Sequence, residues 1–460
     1  MTARTSRRTT FLLACLLALG ACTGGDGKPP PEKTPDPGAP LLIASGRDVT
    51  GKGGIREKLI EEWNKRPGNT HQARLVELPG SADQQRSQLL GALQSGSARY
   101  DVVNLDVTWV PEFAEAKLIQ ELEPGLVDDD VIESVARTAS WDGKTYAVPF
   151  NTDVGLLYYR RDHLEKAGVQ AQNTSLGENT TWEQVRDLIR DVGKADLPEY
   201  EAGWTTQLAP YEGLTVNGIE AFASVLDQGL TDEHGRYTGT VSGLEDGLEE
   251  LRARTERSYL LPDATGSDEA ASLTDFINGR TTFLRHWPYA YRTIHQSLTS
   301  EQLGVAPLPG KAALGGQNLA VTMSASGARA DAARDLLRFL TDKSSERCLL
   351  DAGFAATRQS AYEDDTVSCR LLAGAAPSAP AESTDRMPRK EGRPEYAATT
   401  LLPALKGATV ERPRTPHYGA FSQTFTTHLT RLFGDSPPKV KELAHELDSA
   451  LRHVLPDPSR

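Results

Sequence analysis

Two aspartates stand where a folded chain could put them to work. Asp106 ends the apolar run Val102-Val103-Asn104-Leu105, and Asp153 ends the turn-forming run Pro149-Phe150-Asn151-Thr152. Two carboxylates held about 5–9.5 Å apart are the minimum for hydrolysing a glycosidic bond. With no bond broken, the same groups accept hydrogen bonds from hydroxyls, two or more for each ionised carboxylate. Other chemistries find less support. No GxSxG elbow marks a serine nucleophile. Neither CxxC nor HExxH occurs and the nine histidines are scattered, so no metal centre or other cofactor is expected.

The elements that would position these residues can be read from periodicity. Leu41 to Ser45, Arg74 to Leu78 and Val102 to Leu105 read as strands. Between them, Ile55, Leu59 and Trp63 recur every four residues, and Leu89, Leu90 and Leu93 mark the inward side of a helix over Ser81 to Ser95. This alternation predicts a doubly wound α/β lobe with a largely parallel sheet. Ligands of such sheets bind beyond the carboxyl ends of the strands, which is where Asp106 stands. Tyr146 to Tyr159, Gly304 to Pro309 and Leu319 to Met323 read as further strands around a mostly helical stretch from Trp182 to Phe283. Three helix faces follow: Ala333, Leu336, Leu337 and Leu340; Phe425, Leu429 and Leu432; and Leu443, Leu447 and Leu451. Ala373 to Arg393, rich in Ala, Pro and Ser, reads as a surface excursion.

The chain opens with Arg4, Arg7 and Arg8, an apolar run from Phe11 to Leu19, and Leu19-Gly20-Ala21-Cys22. The run is too short for a membrane span and has the layout of a secretory signal over residues 1–21. Its end resembles a bacterial lipobox, which implies lipidation of Cys22 and anchoring outside the cytoplasm. Residues 22–40 are rich in Gly, Pro, Lys and Asp and read as a disordered tether. The net charge is −13, and about −16 once the three signal arginines are gone. An acidic body argues against nucleic acid and anionic lipid surfaces as partners. The remaining length suits two lobes. Of four cysteines only Cys348 and Cys369 remain in the body, and an exported compartment permits them a disulfide.

Tyr100 to Phe113, Asn151 to Arg160, Tyr211-Glu-Gly-Leu214, Trp287-Pro-Tyr-Ala-Tyr291, Gly304 to Pro309, Leu314-Gly-Gly316 and Arg412 to Tyr418 together resemble, in order, the extracellular solute-binding proteins of carbohydrate ABC importers. The nearest group is the trehalose/maltose-binding one. The resemblance implies the type II periplasmic-binding-protein fold, with two hinge-linked α/β lobes and a ligand cleft between them. It places residues 41–148 and 310–345 in an N-terminal lobe and 149–309 and 346–460 in a C-terminal lobe. The chain is expected to cross near Val148 to Asp153 and near Gly304 to Gly310.

The same resemblance carries sugar-binding roles onto Asp106, Asn151, Asp153 and Arg412, an aromatic platform onto Trp287 and Tyr289, and close backbone approach to ligand onto Gly316. Trp109 and Tyr211 are expected as cleft neighbours. The chain also departs from the family pattern. Asn151 replaces a tyrosine, Gln317 replaces a tryptophan, and the Gly46–Gly54 loop offers Asp48 and Lys52 where relatives have a glutamate. The implied partners are a sugar, probed first with maltose and trehalose, and the transmembrane subunits of an ABC permease, with the protein itself a monomer and not an enzyme. A binding protein for a glycerophosphodiester or an amino acid, and a surface glycosidase, are the alternatives. Replacing Cys22 by Ala is expected to move the protein from the membrane pellet to the soluble fraction on cell fractionation; a pellet that keeps it locates the anchor elsewhere.

Overall fold

The computed structural model describes residues 38–46, 54–170, 175–226, 228–372, 386–407 and 409–456. The signal 1–21, Cys22, most of the tether, Asp48, Lys52 and residues 373–385 lie outside the described residues.

The run Leu41–Gly46 forms β1 and is almost wholly buried, as a strand covered on both faces must be. It pairs in parallel with β2 (Ala73–Leu78) and β3 (Val102–Asp106). The helices Ile55–Asn64 and Ala82–Ser95 make the crossovers. The second of these opens where Gln84 Oε1 accepts a hydrogen bond from Ser81 N at 3.0 Å, and it ends at Gly96 in the left-handed region. Leu89 is buried on its inner face, with Leu90 and Leu93 packed against the core.

The parallel character stops there. β4 (Val148–Val154) leaves this sheet for a second one, which is made of β5 (Leu156–Arg160), β6 (Ala202–Thr205), β7 (Thr281–His286) and β8 (Leu303–Pro307) in the order β8-β5-β7-β6. β9 (Ala312–Val321) returns and lies antiparallel to both β3 and β4. A strand arriving from another lobe needs no crossover helix and enters the sheet from the opposite end, so the expected largely parallel sheet is mixed. β10 (Thr409–Val410) closes the edge beside Ala312 and Ala313. The expected strand over Tyr146 to Tyr159 is thus two strands, divided at Gly155.

The chain changes sheets at Gly155, a few residues after the boundary read from sequence, and between Pro307 and Ala312, an interval that contains the second expected boundary. The packing of residues 346 to 372, expected in the C-terminal lobe, is divided between two apolar clusters. Cys348, Leu349, Phe354 and Cys369 are buried in the same apolar cluster as Leu41, Leu59, Trp63 and Leu336. The Lys343–Asp351 helix is amphipathic and buries its apolar face against the helix Ala328–Leu340, so it stays with the first lobe. The last two helices, Tyr418–Leu429 and Val440–Val454, pack on Glu212–Val225 and Val241–Arg254 in the second lobe. Among the described residues no helix is long and apolar enough to cross a membrane.

Cys348 and Cys369 are bonded to each other, 21 residues apart. The bond ties the segment after the Lys343–Asp351 helix to the first lobe's core. Replacing both cysteines by Ala is expected to cost about 3 kcal/mol, from the entropy of an unconstrained loop of this length. Urea unfolding measures it; an unchanged midpoint would show that packing alone holds the segment.

Candidate functional site

The wall of the first lobe is built from polar side chains at one end of its sheet. Arg56, near the start of the Ile55–Asn64 helix, is 5% exposed. It donates to Ser45 Oγ at 3.3 Å, Asn151 Oδ1 at 3.3 Å and Gln317 Oε1 at 2.9 Å. Its guanidinium lies 5.8 Å from the Phe150 ring and 5.5 Å from that of Phe354. Asn104 donates to Ser45 Oγ at 2.9 Å and to Gln317 Oε1 at 2.6 Å. Sequence reasoning missed Arg56 and Asn104. A signal was there: Arg56 shares the helical stripe of Leu59, Ile60 and Trp63, so its cation had to point inward and find partners.

Asp153 stands at the edge of this network, opposite Gly315 across the β4–β9 pairing. Oδ2 has only a long contact of 3.5 Å from Asn151 Nδ2. Oδ1 is buried with no donor among the described residues. Burial pushes this carboxyl up to about 7; Arg56 opposes the rise, Asp106 adds to it, and Arg285 and Arg412 oppose it from farther away. A buried acceptor without a donor is rare in folded proteins and calls for an explanation.

Asp106 is in the opposite condition. It ends β3, where Oδ1 accepts from Thr108 N at 2.9 Å and Thr108 Oγ1 at 2.7 Å. Arg412 grips both its oxygens, at 2.9 and 3.1 Å. Arg412 is buried and also donates to Glu212 Oε1 at 2.6 Å. Glu212, in the second lobe, accepts further bonds from Ser422 Oγ at 2.8 Å and from the Tyr418 hydroxyl. The two terminal nitrogens of the guanidinium expected to span ligand hydroxyls thus bind two carboxylates, while Nε is buried without a partner among the described residues. Oδ2 of Asp106 takes a single bond and keeps accepting capacity.

Trp287 and Tyr289 lie in the turn after β7. Burial holds the His286 imidazole down at about 4, so it is neutral. Its Nδ1 accepts from Trp287 N at 2.9 Å, while Nε2 lies 3.1 Å from the Glu269 carbonyl. Tyr158 Oη donates to the Trp287 carbonyl at 3.0 Å. The indole is partly exposed, and the Arg285 guanidinium sits 3.8 Å from its ring centroid. A Cβ on Gly315 would lie 3.2 Å from both Asp153 Cβ and Trp287 Cζ3, so carboxylate and indole flank the same glycine. Tyr289 packs edge-on to His286 at 5.2 Å.

The structure gives Gly316 a different role from the expected one. Its φ is +112°, and a Cβ there would meet Asn151 O at 2.4 Å and Thr152 Cα at 2.6 Å. What its missing side chain admits is the backbone of β4. Trp109 is buried in the core, and the Tyr211 hydroxyl donates to Glu269 Oε2 at 2.7 Å, so both have structural partners. Among the described residues no group of three or more His, Cys, Asp or Glu side chains is placed to hold a metal ion.

The condition of Asp153 fixes a testable sign. Its carboxyl titrates near 7 folded and near 3.8 unfolded, so the folded state binds more protons between these values and stability falls as pH rises through that window. Asp153→Asn removes the cost: the unliganded protein is expected to gain about 2–4 kcal/mol at pH 8 and almost nothing at pH 4. Urea unfolding at the two pH values measures this, and equal gains at both would remove titration of Asp153 as the cause.

A sequence profile for the family described as bacterial extracellular solute-binding protein matches residues 48–346. A probable ABC transporter-binding protein of Deinococcus radiodurans is 28% identical over 324 residues, covering 68% of this chain and 74% of its own. An arabinooligosaccharide-binding protein of Halalkalibacterium halodurans is 26% identical over 147 residues, covering 30% of this chain and 31% of its own. Among solved structures, maltose-bound T. maritima MalE3 is similar with a TM-score of 0.70 at 24% identity, over 89% of this chain and 99% of that one. UgpB from Mycobacterium tuberculosis in complex with glycerophosphocholine is similar with a TM-score of 0.69 at 18% identity, over 90% and 98%. These likenesses establish the two-lobed fold, and the profile covers more than half of the sequence: the chain belongs to the bacterial extracellular solute-binding protein family.

Proposed function

We propose that this protein captures a sugar, a glucose-containing disaccharide or oligosaccharide, between its lobes and delivers it to the transmembrane subunits of an ABC importer, from a lipid anchor on Cys22. The observation that carries the ligand class is Asp153 Oδ1, buried with no donor among the described residues, on a side chain that flanks Gly315 together with the Trp287 indole. A hydroxyl donor would satisfy Oδ1, and the apolar C–H face of a sugar ring would cover the indole. The MalE3 structure with maltose and the arabinooligosaccharide-binding relative lend the reading support.

The same geometry weighs against the alternatives. A glycerophosphodiester brings an anion to a wall that carries Asp106 and Asp153, while Arg412 is already engaged by two carboxylates. A glycosidase needs both carboxylates at work on the bond, yet Asp106 is held by Arg412 and Thr108.

A thermal-shift screen of residues 23–460 against maltose, trehalose and glycerophosphocholine tests the proposal, because a ligand of the native state raises the melting point by mass action. A shift with a disaccharide is expected. Trp287→Ala should then weaken that sugar by about 1–3 kcal/mol, by analogy with desolvated aromatic anchors. A shift with glycerophosphocholine alone would replace the sugar by a phosphodiester. A folded Trp287→Ala variant with native affinity would place the platform elsewhere.

A further inference from the structure

Glu220 and Arg285 form an ion pair with side chains only 2% and 1% exposed. Arg285 Nη2 donates to Glu220 Oε1 at 2.6 Å, and its Nε lies 3.2 and 3.1 Å from the two carboxylate oxygens. The carboxylate also accepts from Ala313 N at 3.0 Å, at the start of β9. Gly155, the point where the chain first changes lobe, donates to Ala313 O at 3.3 Å. A Cβ on Gly155 would stand 2.4 Å from Glu220 Oε1 and 3.0 Å from Arg285 Nη2. One buried pair therefore touches both crossings. Its far side is the guanidinium stacked 3.8 Å from the Trp287 centroid.

Stability alone does not account for such a pair. Burying two charges costs desolvation, and well-packed apolar residues in their place are often as stable or more so. What the pair supplies is a rigid connection. A guanidinium is planar and presents its donors in a fixed fork, so it can hold a carboxylate with its edge and an indole with its face, which an ammonium cannot. We propose that Glu220 and Arg285 are positioning residues that make the orientation of the Trp287 ring follow the angle between the lobes. The proposal rests on the reading that Trp287 faces the ligand. It deepens that reading: a sugar stacked on the indole pulls on both crossings through a single ion pair, and lobe closure in turn aligns the ring.

The test needs no ligand, so its failure is separate from failure of the sugar reading, which the thermal screen decides. The mature chain, residues 23–460, is labelled with 5-fluorotryptophan, and the Trp287 fluorine resonance is assigned by its loss in Trp287→Phe. Nitroxides on the exposed positions Lys65→Cys and Glu183→Cys, one in each lobe, report lobe separation by electron–electron dipolar spectroscopy. Gly155→Ala, which crowds Glu220 at the crossing, is expected to shift both the Trp287 resonance and the separation. In an Arg285→Lys background the same substitution is expected to change the separation and leave the resonance in place. A Trp287 resonance that stays put in Gly155→Ala overturns the proposal, and so does one that still follows Gly155→Ala after Arg285→Lys. If Gly155→Ala does not fold, Glu220→Asp, which keeps the charge and shortens the arm, is read by the same two criteria.

Discussion

The antiparallel pairing of β4 with β9 is the constraint on which the rest of the molecule depends. These are the strands by which the chain leaves the first lobe and returns to it, and they are zipped together from Val148–Leu319 to Val154–Leu314. Because they are neighbours, the two crossings lie side by side at Gly155 and Ala313 and can bend as one. The same pairing sets Asn151, Asp153, Gly315 and Gln317 along one short wall. Its tightest point is Gly316, where φ is +112° and no side chain fits against the backbone of β4. A register slip of one residue would turn Asp153 from the site into the sheet's other face.

The charges around that wall differ sharply in how they are compensated. Asp106, Arg412 and Glu212 form a chain between lobes in which each charge has an opposite neighbour. Asp153 has none in direct contact and answers burial by shifting its titration toward neutrality. The first arrangement holds a geometry and leaves little for a ligand to supply. The second leaves an acceptor waiting, at a cost in stability that a purely structural position would shed by becoming Asn or Thr. That contrast separates two aspartates of similar apparent standing by how far the protein itself compensates their charge.

Much of the fold was legible because it rests on local pattern. The apolar runs gave β1, β2 and β3, the period of Leu89, Leu90 and Leu93 gave their helix, and the order of motifs gave the two-lobed class. What sequence hid is long-range. The antiparallel return of β9 depends on where the chain has been, which no window around Leu319 contains. The packing of Cys348, Leu349, Phe354 and Cys369 with Leu41 and Trp63 was not legible either, because helix amphipathicity says that a face is buried and not against what. In the candidate site, the resemblance pointed to Asp153 and Trp287, and the fold sets the two on either side of Gly315. Residue types could not show that Arg412 would be consumed by Glu212, 200 residues away, nor that Gly316 serves β4. Arg56 was readable from its helical stripe and was passed over because a single arginine in a short helix is usually a solvated one.

The departures from the family pattern gain a physical meaning from Arg56. Asn151 and Gln317, the two positions at which the resemblance implies a departure from aromatic residues, both accept hydrogen bonds from the same guanidinium. With Ser45 and Asn104 they make a connected hydrogen-bonded network, in which Asn104 Oδ1 is buried without a partner among the described residues. An aromatic ring at either position would take an acceptor from the buried cation, so Asn151, Gln317 and Arg56 depend on one another in this chain. The first lobe presents a hydrogen-bonded polar wall there, and the partly exposed Trp287 indole stands on the second lobe. On the proposed sugar reading, a ligand would be gripped asymmetrically, through its hydroxyls on one side and its ring face on the other. Selectivity then falls mainly on the pattern of hydroxyls that the first lobe meets, because a ring face accepts many sugars and a fixed set of donors and acceptors accepts few.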